Sequence, residues 1–459
     1  MGRSTPTLAE RFARYSQKLA YHNFPEEVVH EAKRRLIDTL GCALGGWGSR
    51  PCKIARRMAD RVRLKNGATL LGTNQKTTPD LAAFANGTAI RYLDYNDTYL
   101  SKEPAHPSDN ISAVLAAAET GGDDGKRVIE AVVLAYEIQC LLCDAVALRP
   151  RGWDHVCYGP FSTALAVSKL WRLPEEKTVH ALGLAGNPNN ALRQTRVGDL
   201  SMWKGVAFAN AARNGVFAAE LARLGMSGPA PIFEGEKGFM KIVSGSFEPP
   251  VLRPKGPFKI METYIKYYPV EYHAQSAVQA ALNLRQKLPK HFLKKIEAVR
   301  VHTSDISYEI IGNDPDKWHP LTRETADHSL PYIVSVALMD GKVGRAQFNG
   351  RHLKDPKLHR LIQKVRVFSD KNHSAAYGQT MGNTLSLKID GQTYRERVDL
   401  PKGFPKNEMT DEEVEAKFRG MAGPLLSKAA IQKILDALWK FETAKGVEPL
   451  LKLFLVKKT

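Results

Sequence analysis

Between Pro25 and Leu224 the apolar residues recur at helical spacing, and from about Tyr264 they begin to alternate. The first period makes amphipathic helices and the second makes half-buried strands. With 459 residues there is also more chain than one simple core accommodates. Two bodies are therefore expected. Pro25-Glu26-Glu27 opens a helix carrying Val28, Val29, Ala32, Leu36, Ile37 and Leu40, which stops at Gly45-Gly46. Further helices are expected over 81–92, 111–119, 126–148, 159–173, 175–186 and 206–224. Strands are expected over 296–303, 364–369, 383–389 and 393–398, with Asp390-Gly391-Gln392 as a hairpin turn. Helices at 274–288 and 328–339 punctuate that part. A second hairpin-type turn is expected at Asn66-Gly67. From Thr410 the chain returns to helix. The fold class read from this is mainly α with an α+β part. A large all-helical domain (1–263) carries a smaller α+β lid (264–405), and C-terminal helices (406–459) rejoin the helical domain.

One stretch does not fit a purely structural account. Residues 93–110, Leu-Asp-Tyr-Asn-Asp-Thr-Tyr-Leu-Ser-Lys-Glu-Pro-Ala-His-Pro-Ser-Asp-Asn, put four carboxylates, two amides, a Lys and a His between two apolar helices. Buried polar groups are costly unless paired or used. Asp94 and Thr98 would share a face if the segment were helical. Ser108 or Asp109 reads as a helix cap. Neither explains Asp94 or His106, which makes this stretch the centre of a candidate site.

Other polar stations follow along the chain. Asp154-His155 comes after Gly152-Trp153. Lys204 stands just before an Ala-rich helix, where a cation gains nothing from the helix dipole and suits an anion instead. Lys266 precedes Tyr267-Tyr268-Pro269, with Glu271 and His273 beyond. His328 and Tyr332 are one turn apart on an apolar helix. No phosphate-cradling glycine loop and no Cys or His cluster of metal-binding spacing is present. Cys140 and Cys143 lie within a helical run and read as a buried face. With Cys157 they lack the spacing of an iron–sulfur centre. The five cysteines suggest no disulfide framework.

The net charge of +18 raises the question of nucleic acid, but Lys and Arg are spread along the chain and rise most at 287–295 and in the C-terminal third. No nucleic-acid-binding signature accompanies them. An anionic small molecule is the better match. No apolar run approaches the roughly 20 residues of a membrane span, and residues 1–21 lack the apolar core of a secretory signal. The expectation is a cytoplasmic protein with neither membrane nor nucleic-acid partner.

Asp94-Tyr-Asn-Asp-Thr98 with His106-Pro-Ser-Asp109 resembles the signature of the MmgE/PrpD family. The likeness continues through Gly152-Trp-Asp-His155, Trp203-Lys204, Lys266-Tyr-Tyr-Pro269 to His273, and His328-Ser-Leu-Pro-Tyr332. That family includes 2-methylcitrate dehydratase, cis-aconitate decarboxylase and iminodisuccinate epimerase. The resemblance implies a helical domain with a smaller lid, a homodimer, no metal or organic cofactor, and a site at Asp94, Thr98, His106, His155, Lys204, Lys266 and Tyr332. Glu271 stands where decarboxylases of the mammalian type carry His, so the dehydratase branch is the closer likeness. The expected activity is a hydro-lyase acting on 2-methylcitrate, and possibly citrate, within propionate catabolism. Decarboxylation of cis-aconitate or epimerisation of a dicarboxylate is the alternative on the same scaffold.

On that reading the substrate carries about three negative charges at neutral pH. Lys204 and Lys266, with Thr98, would bind it, and Arg193 or Arg196 would help. Asp94, His106, His155 and Tyr332 would carry the acid–base chemistry, with His106 a proton-transfer residue.

Overall fold

A computed structural model describes residues 5–456, so the first four residues of the N-terminal reading lie outside it. Among the described residues nine α-helices precede residue 224: α1 (Leu8–Lys18), α2 (Glu26–Gly46), α3 (Arg50–Ala59), α4 (Pro79–Arg91), α5 (Ile111–Gly121), α6 (Gly125–Ala145), α7 (Gly159–Leu170), α8 (Glu175–Gly186) and α9 (Ala207–Arg223). Their starts follow local chemistry. Thr7 and Glu10 form a reciprocal capping box on α1, Ser49 caps α3, and Asp124 caps α6. Close packing follows from small residues. A Cβ on Gly87 of α4 would lie 2.9 Å from the Ser112 hydroxyl of α5 and 3.1 Å from Ala209 of α9.

These helices share one hydrophobic core, which runs from Leu8 to Ile265 and takes up Met409, Val414, Phe418, Leu435 and Phe454 from the C-terminal segment. The return of the chain end to the helical body is therefore seen directly. A second core holds Tyr268, Val270, α10 (Gln275–Lys287), the helix Leu330–Asp340 and one face of a four-stranded sheet. Its strands are β3 (Ile296–Thr303), β4 (Val365–Ser369), β5 (Asn383–Ile389) and β6 (Gln392–Val398), in the order β4-β3-β5-β6. β3 runs parallel to β4 and antiparallel to β5. Asp390 and Gly391 both have positive φ, 48° and 78°, as the two-residue turn between β5 and β6 requires. The mainly α fold with an α+β part is thus as expected.

Three local expectations need correction. Asn66-Gly67 does not turn a hairpin: it precedes β1 (Ala68–Thr69), and the ladder with β2 (Lys76–Thr77) closes through residues 70–75. Gly67 serves close approach instead, since a Cβ there would sit 2.2 Å from the Thr77 carbonyl oxygen. Asp94 and Thr98 do not share a helix: Asp94 has φ +50°, and Thr98 forms an antiparallel bridge with Tyr264. Ser108 and Asp109 do not cap α5, which is entered through a short 3₁₀ turn without a side-chain cap. The Ser108 hydroxyl donates to Asp97 Oδ1 at 2.5 Å, and Asp109 accepts from the Asn96 amide at 2.8 Å.

Among the described residues no helix is long and apolar enough to cross a membrane. All five cysteines are buried and unpaired, with Cys140 and Cys143 on the packed face of α6. Glu103, which the sequence leaves without a role, is buried and accepts from the N–H groups of Leu148 (2.7 Å) and Arg149 (3.1 Å), fixing the loop after α6.

Candidate active site

The residues after α4 cannot continue the helix once Asp94 turns left-handed, and this throws the 94–110 segment across the seam between the two cores. Asp94 is its hub. Arg91, one turn earlier on α4, bonds its carboxylate. Lys266 lies 3.2 Å from Oδ1, and Lys204 lies 3.8 Å and His328 3.7 Å from Oδ2. Burial opposes its charge, but Arg91, Lys204 and Lys266 outweigh burial and hold the carboxyl well below the usual range. Among the described residues Oδ2 has no hydrogen-bond partner. Burial in turn pulls the Lys266 ammonium down, with Asp94 opposing.

Lys204 comes from the turn before α9 and donates to Asp327 Oδ1 at 3.1 Å. Lys266 comes from the strap between the cores and donates to the Asp94 carbonyl at 2.9 Å. That strap is itself held by Lys417 of the C-terminal helix Asp411–Ala422. Its ammonium donates to the carbonyls of Lys266 and Tyr95, each at 2.7 Å, and pairs with Asp38 of α2 at 2.6 Å.

His106, His155 and His328 line one cavity, as does His273. His106 Nδ1–H donates to the Asp97 carbonyl at 2.7 Å, and its Nε2 accepts from Arg91 at 2.8 Å. Burial, then Arg91 and Lys266, keep this imidazole neutral, well below its ordinary pKa. His155 pairs through Nδ1 with Asp154 at 2.9 Å, and Asp154 also accepts from Arg196 at 2.9 Å. The rings of His106 and His155 meet edge to face, 5.8 Å between centroids. His328 pairs through Nδ1 with Asp327 at 2.7 Å. Burial lowers His155 and His328 to about 4, with their aspartates opposing.

The cavity has a volume of about 540 Å³. Arg91, Arg149, Arg193, Arg196 and Lys317 line it along with Thr98, the four histidines and Glu271. Burial opposes the charge of Glu271, but His273 at 2.7 Å and the more distant His328 hold its carboxyl down at about 2.

Of the residues singled out from the sequence, Asp94, Thr98, His106, His155, Lys204 and Lys266 converge here. Tyr332 does not. It is fully buried in the smaller core, and its hydroxyl donates to the Gln347 carbonyl at 2.6 Å. The helical spacing that paired it with His328 does not hold, because the helix begins only at Leu330 and Ser329 caps it. Arg91 and Asp327 also belong to this cluster although nothing in the sequence singles them out, and Asp154, which the sequence shows only as the neighbour of His155, pairs with it. Lys204 beside an unfavourable helix end was the signal for Asp327, because a buried cation needs a carboxylate.

Asp94, Asp327 and His328 bring ligand atoms within 4.8 Å of one another, the spacing a metal ion would need. Arg91, Lys204 and Lys266 already supply positive charge to these carboxylates, and a divalent ion would meet all three. The donor set fits an ion poorly.

A helical body with an α+β companion, meeting over buried lysines, paired carboxylates and neutral histidines beneath an arginine-rich cavity, defines an acid–base site for a small polyanion. The MmgE/PrpD N-terminal domain matches residues 10–252 and the MmgE/PrpD C-terminal domain residues 268–441, and the chain belongs to that family. It is 28% identical over 397 residues to the 2-methylcitrate dehydratase of Escherichia coli K12, covering 81% of each chain. It is 29% identical over 405 residues to the probable 2-methylcitrate dehydratase of Saccharomyces cerevisiae, covering 81% of this chain and 77% of that one. It is also 29% identical over 470 residues to an alkylcitrate dehydratase of a fungal species, covering 95% of this chain and 92% of the relative.

Proposed function

We propose that the protein is a hydro-lyase that removes water from 2-methylcitrate to give the unsaturated tricarboxylate. The observation that carries this reading is the buried hub, in which Lys204 and Lys266 lie beside Asp94 while two histidines, His155 and His328, are each oriented by an aspartate. The proton to be removed sits on a carbon next to a carboxylate. As it leaves, charge builds on that carboxylate, and fixed ammonium groups in a water-poor site stabilise it. Arg149, Arg193 and Arg196 are placed to hold the remaining carboxylates. His106 keeps Arg91 in place, and Arg91 keeps Asp94 charged. Proton transfer at His106 itself would require Arg91 to release Nε2. Residues 264–405 would act as a lid over residues 1–263 and 406–459, excluding water as the site closes.

The test is a substrate panel on purified, chelator-treated protein. Formation of an unsaturated tricarboxylate from 2-methylcitrate is expected. Carbon dioxide released from cis-aconitate without dehydration would overturn the reading in favour of a decarboxylase, and epimerised dicarboxylate would point to the third activity.

One observation favours a broader substrate range. Leu100, Pro104, Pro150, Val197 and Ile310 are among the residues lining the cavity, apolar contacts that would suit a longer alkyl branch than methyl. Turnover of butylcitrate alongside methylcitrate would bear this out.

We further propose a cytoplasmic homodimer. Asn210, Asn214 and Phe217 share one face of α9, beside Trp203 and Leu192, and Phe217, Trp203 and Leu192 are exposed. Light scattering should give twice the chain mass, and Phe217→Glu should reduce it to one.

A further inference from the structure

Of the four imidazoles at the cavity, His273 spends both nitrogens, on Glu271 at 2.7 Å and on the Tyr377 hydroxyl at 2.9 Å, and the other three differ in what they leave free. His106 has spent both nitrogens. A guanidinium only donates and a backbone carbonyl only accepts, so Arg91 at Nε2 and the Asp97 carbonyl at Nδ1 fix its tautomer and occupy its lone pair. His155 and His328 each give Nδ1–H to the carboxylate of the residue before, leaving Nε2 as the basic atom. His328 Nε2 has Asp94 Oδ2 as a charged neighbour at 3.7 Å, beyond hydrogen-bond reach, and the ring lines the cavity.

The base in such an elimination has to stand beside the cations that take up the developing charge, because proton and carboxylate belong to adjacent carbons. His155 faces His106 and lies on the side of Arg196 and Arg91. His328 lies among the lysines. Its partner Asp327 is bonded by Lys204, and its Nε2 faces the carboxylate paired with Lys266. An imidazolium formed at His328 would sit between Asp94 and Asp327, whereas one formed at His155 has Asp154 alone.

Resting on the dehydratase reading, we propose that His328 is the proton-transfer residue of the reaction and that Asp327 is its positioning residue. Nε2 of His328 takes the proton from the carbon next to the carboxylate. The electron pair of that C–H bond becomes the new C=C bond. The neighbouring C–O bond breaks, and its pair leaves with the hydroxide. The hydroxide takes the proton back from the His328 imidazolium and departs as water, so the imidazole ends neutral. The charged groups around His328 are Asp327, Asp94, Lys204 and Glu271, with Lys317 on the cavity lining. Asp327 and Asp94 favour the imidazolium, and Lys204 opposes it.

The experiment uses the full chain with 2-methylcitrate. His328→Asn should lower kcat at least about a hundredfold with KM within a few-fold. His328→Gly should lose turnover likewise and regain part of it with added imidazole. Asp327→Asn, close in size, should lower kcat and move the acid limb of the pH profile to lower pH, because the carboxylate that raises the basicity of His328 is gone. Wild-type turnover in His328→Asn overturns the proposal, and so does an unmoved acid limb in Asp327→Asn. A wild-type chain that leaves 2-methylcitrate unchanged overturns the dehydratase reading instead, so the two failures are told apart.

Discussion

Lys266 is joined to Asp94 twice: its ammonium donates to the Asp94 backbone carbonyl at 2.9 Å and lies 3.2 Å from the carboxylate Oδ1. The strap between the cores is thereby fastened to the left-handed residue that follows α4. On the proposed reading the same ammonium would help to stabilise charge building on a substrate carboxylate. Lys266→Met removes a fixed charge from a buried site while Arg91 and Lys204 still neutralise Asp94. Turnover of 2-methylcitrate is expected to fall about a hundred- to a thousandfold. The helical circular dichroism should be retained. Steady-state kinetics with a far-UV spectrum checks both, and wild-type kcat would remove Lys266 from the chemistry.

The histidines make acid sensitivity testable. His155 titrates at about 4 in the folded chain, against about 6.5 when exposed. Between those values the unfolded chain binds a proton that the folded chain refuses. The stability His155 contributes is therefore full above about pH 6.5 and is lost as pH falls toward 4. Asp109 and Glu137, both pushed up to about 7 by burial, act in the opposite sense over the same window. The share of His155 is thus read as a difference between chains. On going from pH 6.5 to 4.5, wild type should lose more Tm than His155→Gln does. Equal losses in thermal melts would mean that His155 is not held neutral.

Much of this architecture is legible in the chain because its causes are local. Alternation in 296–303 and 383–389 gives β3 and β5 with correct bounds, and Asp390-Gly391 marks the turn before β6, although Gln392, expected in the turn, already belongs to the strand. Lys204 beside the start of α9 announces a buried anion. What the chain does not reveal is set by tertiary partners. Asp327 counts only because Lys204 arrives from a residue 123 positions earlier. Tyr332 and His328 read as one stripe, but the cap at Ser329 places His328 outside the helix and turns it to the cavity. The segment after Asp94 could not be read as irregular, because its positive φ has no glycine to signal it.

Lys417 should matter to stability more than any surface lysine. It neutralises Asp38, whose carboxyl burial pushes up and Lys417 pulls down, and it satisfies the carbonyls of Tyr95 and Lys266. Removing one partner of a buried pair strands the other, at a cost of about 3–5 kcal/mol. Lys417→Met is expected to destabilise the protein by that order in urea unfolding. Adding Asp38→Asn should recover part of the loss, because the stranded charge is then removed as well. A double variant no more stable than Lys417→Met would show that the carbonyl bonds, rather than the ion pair, carry the effect.

Tyr332 offers the sharpest contrast between what the chain suggests and what the fold does. Its hydroxyl lies in the smaller core and spends its proton on the Gln347 carbonyl, with the ring against Phe348 at 5.7 Å between centroids. Burial raises its pKa further above the ordinary phenol value, which disfavours the phenolate a proton donor would leave behind. Tyr332→Phe keeps the ring and deletes one buried hydrogen bond, leaving the carbonyl of Gln347 short of a donor. The expected cost is about 1–3 kcal/mol of stability. Dehydration of 2-methylcitrate should proceed with kcat within a few-fold of wild type. A loss of a hundredfold or more in kcat, with the melt unchanged, would put the phenol back among the reacting groups and require the Leu330–Asp340 helix to turn toward the cavity when substrate binds.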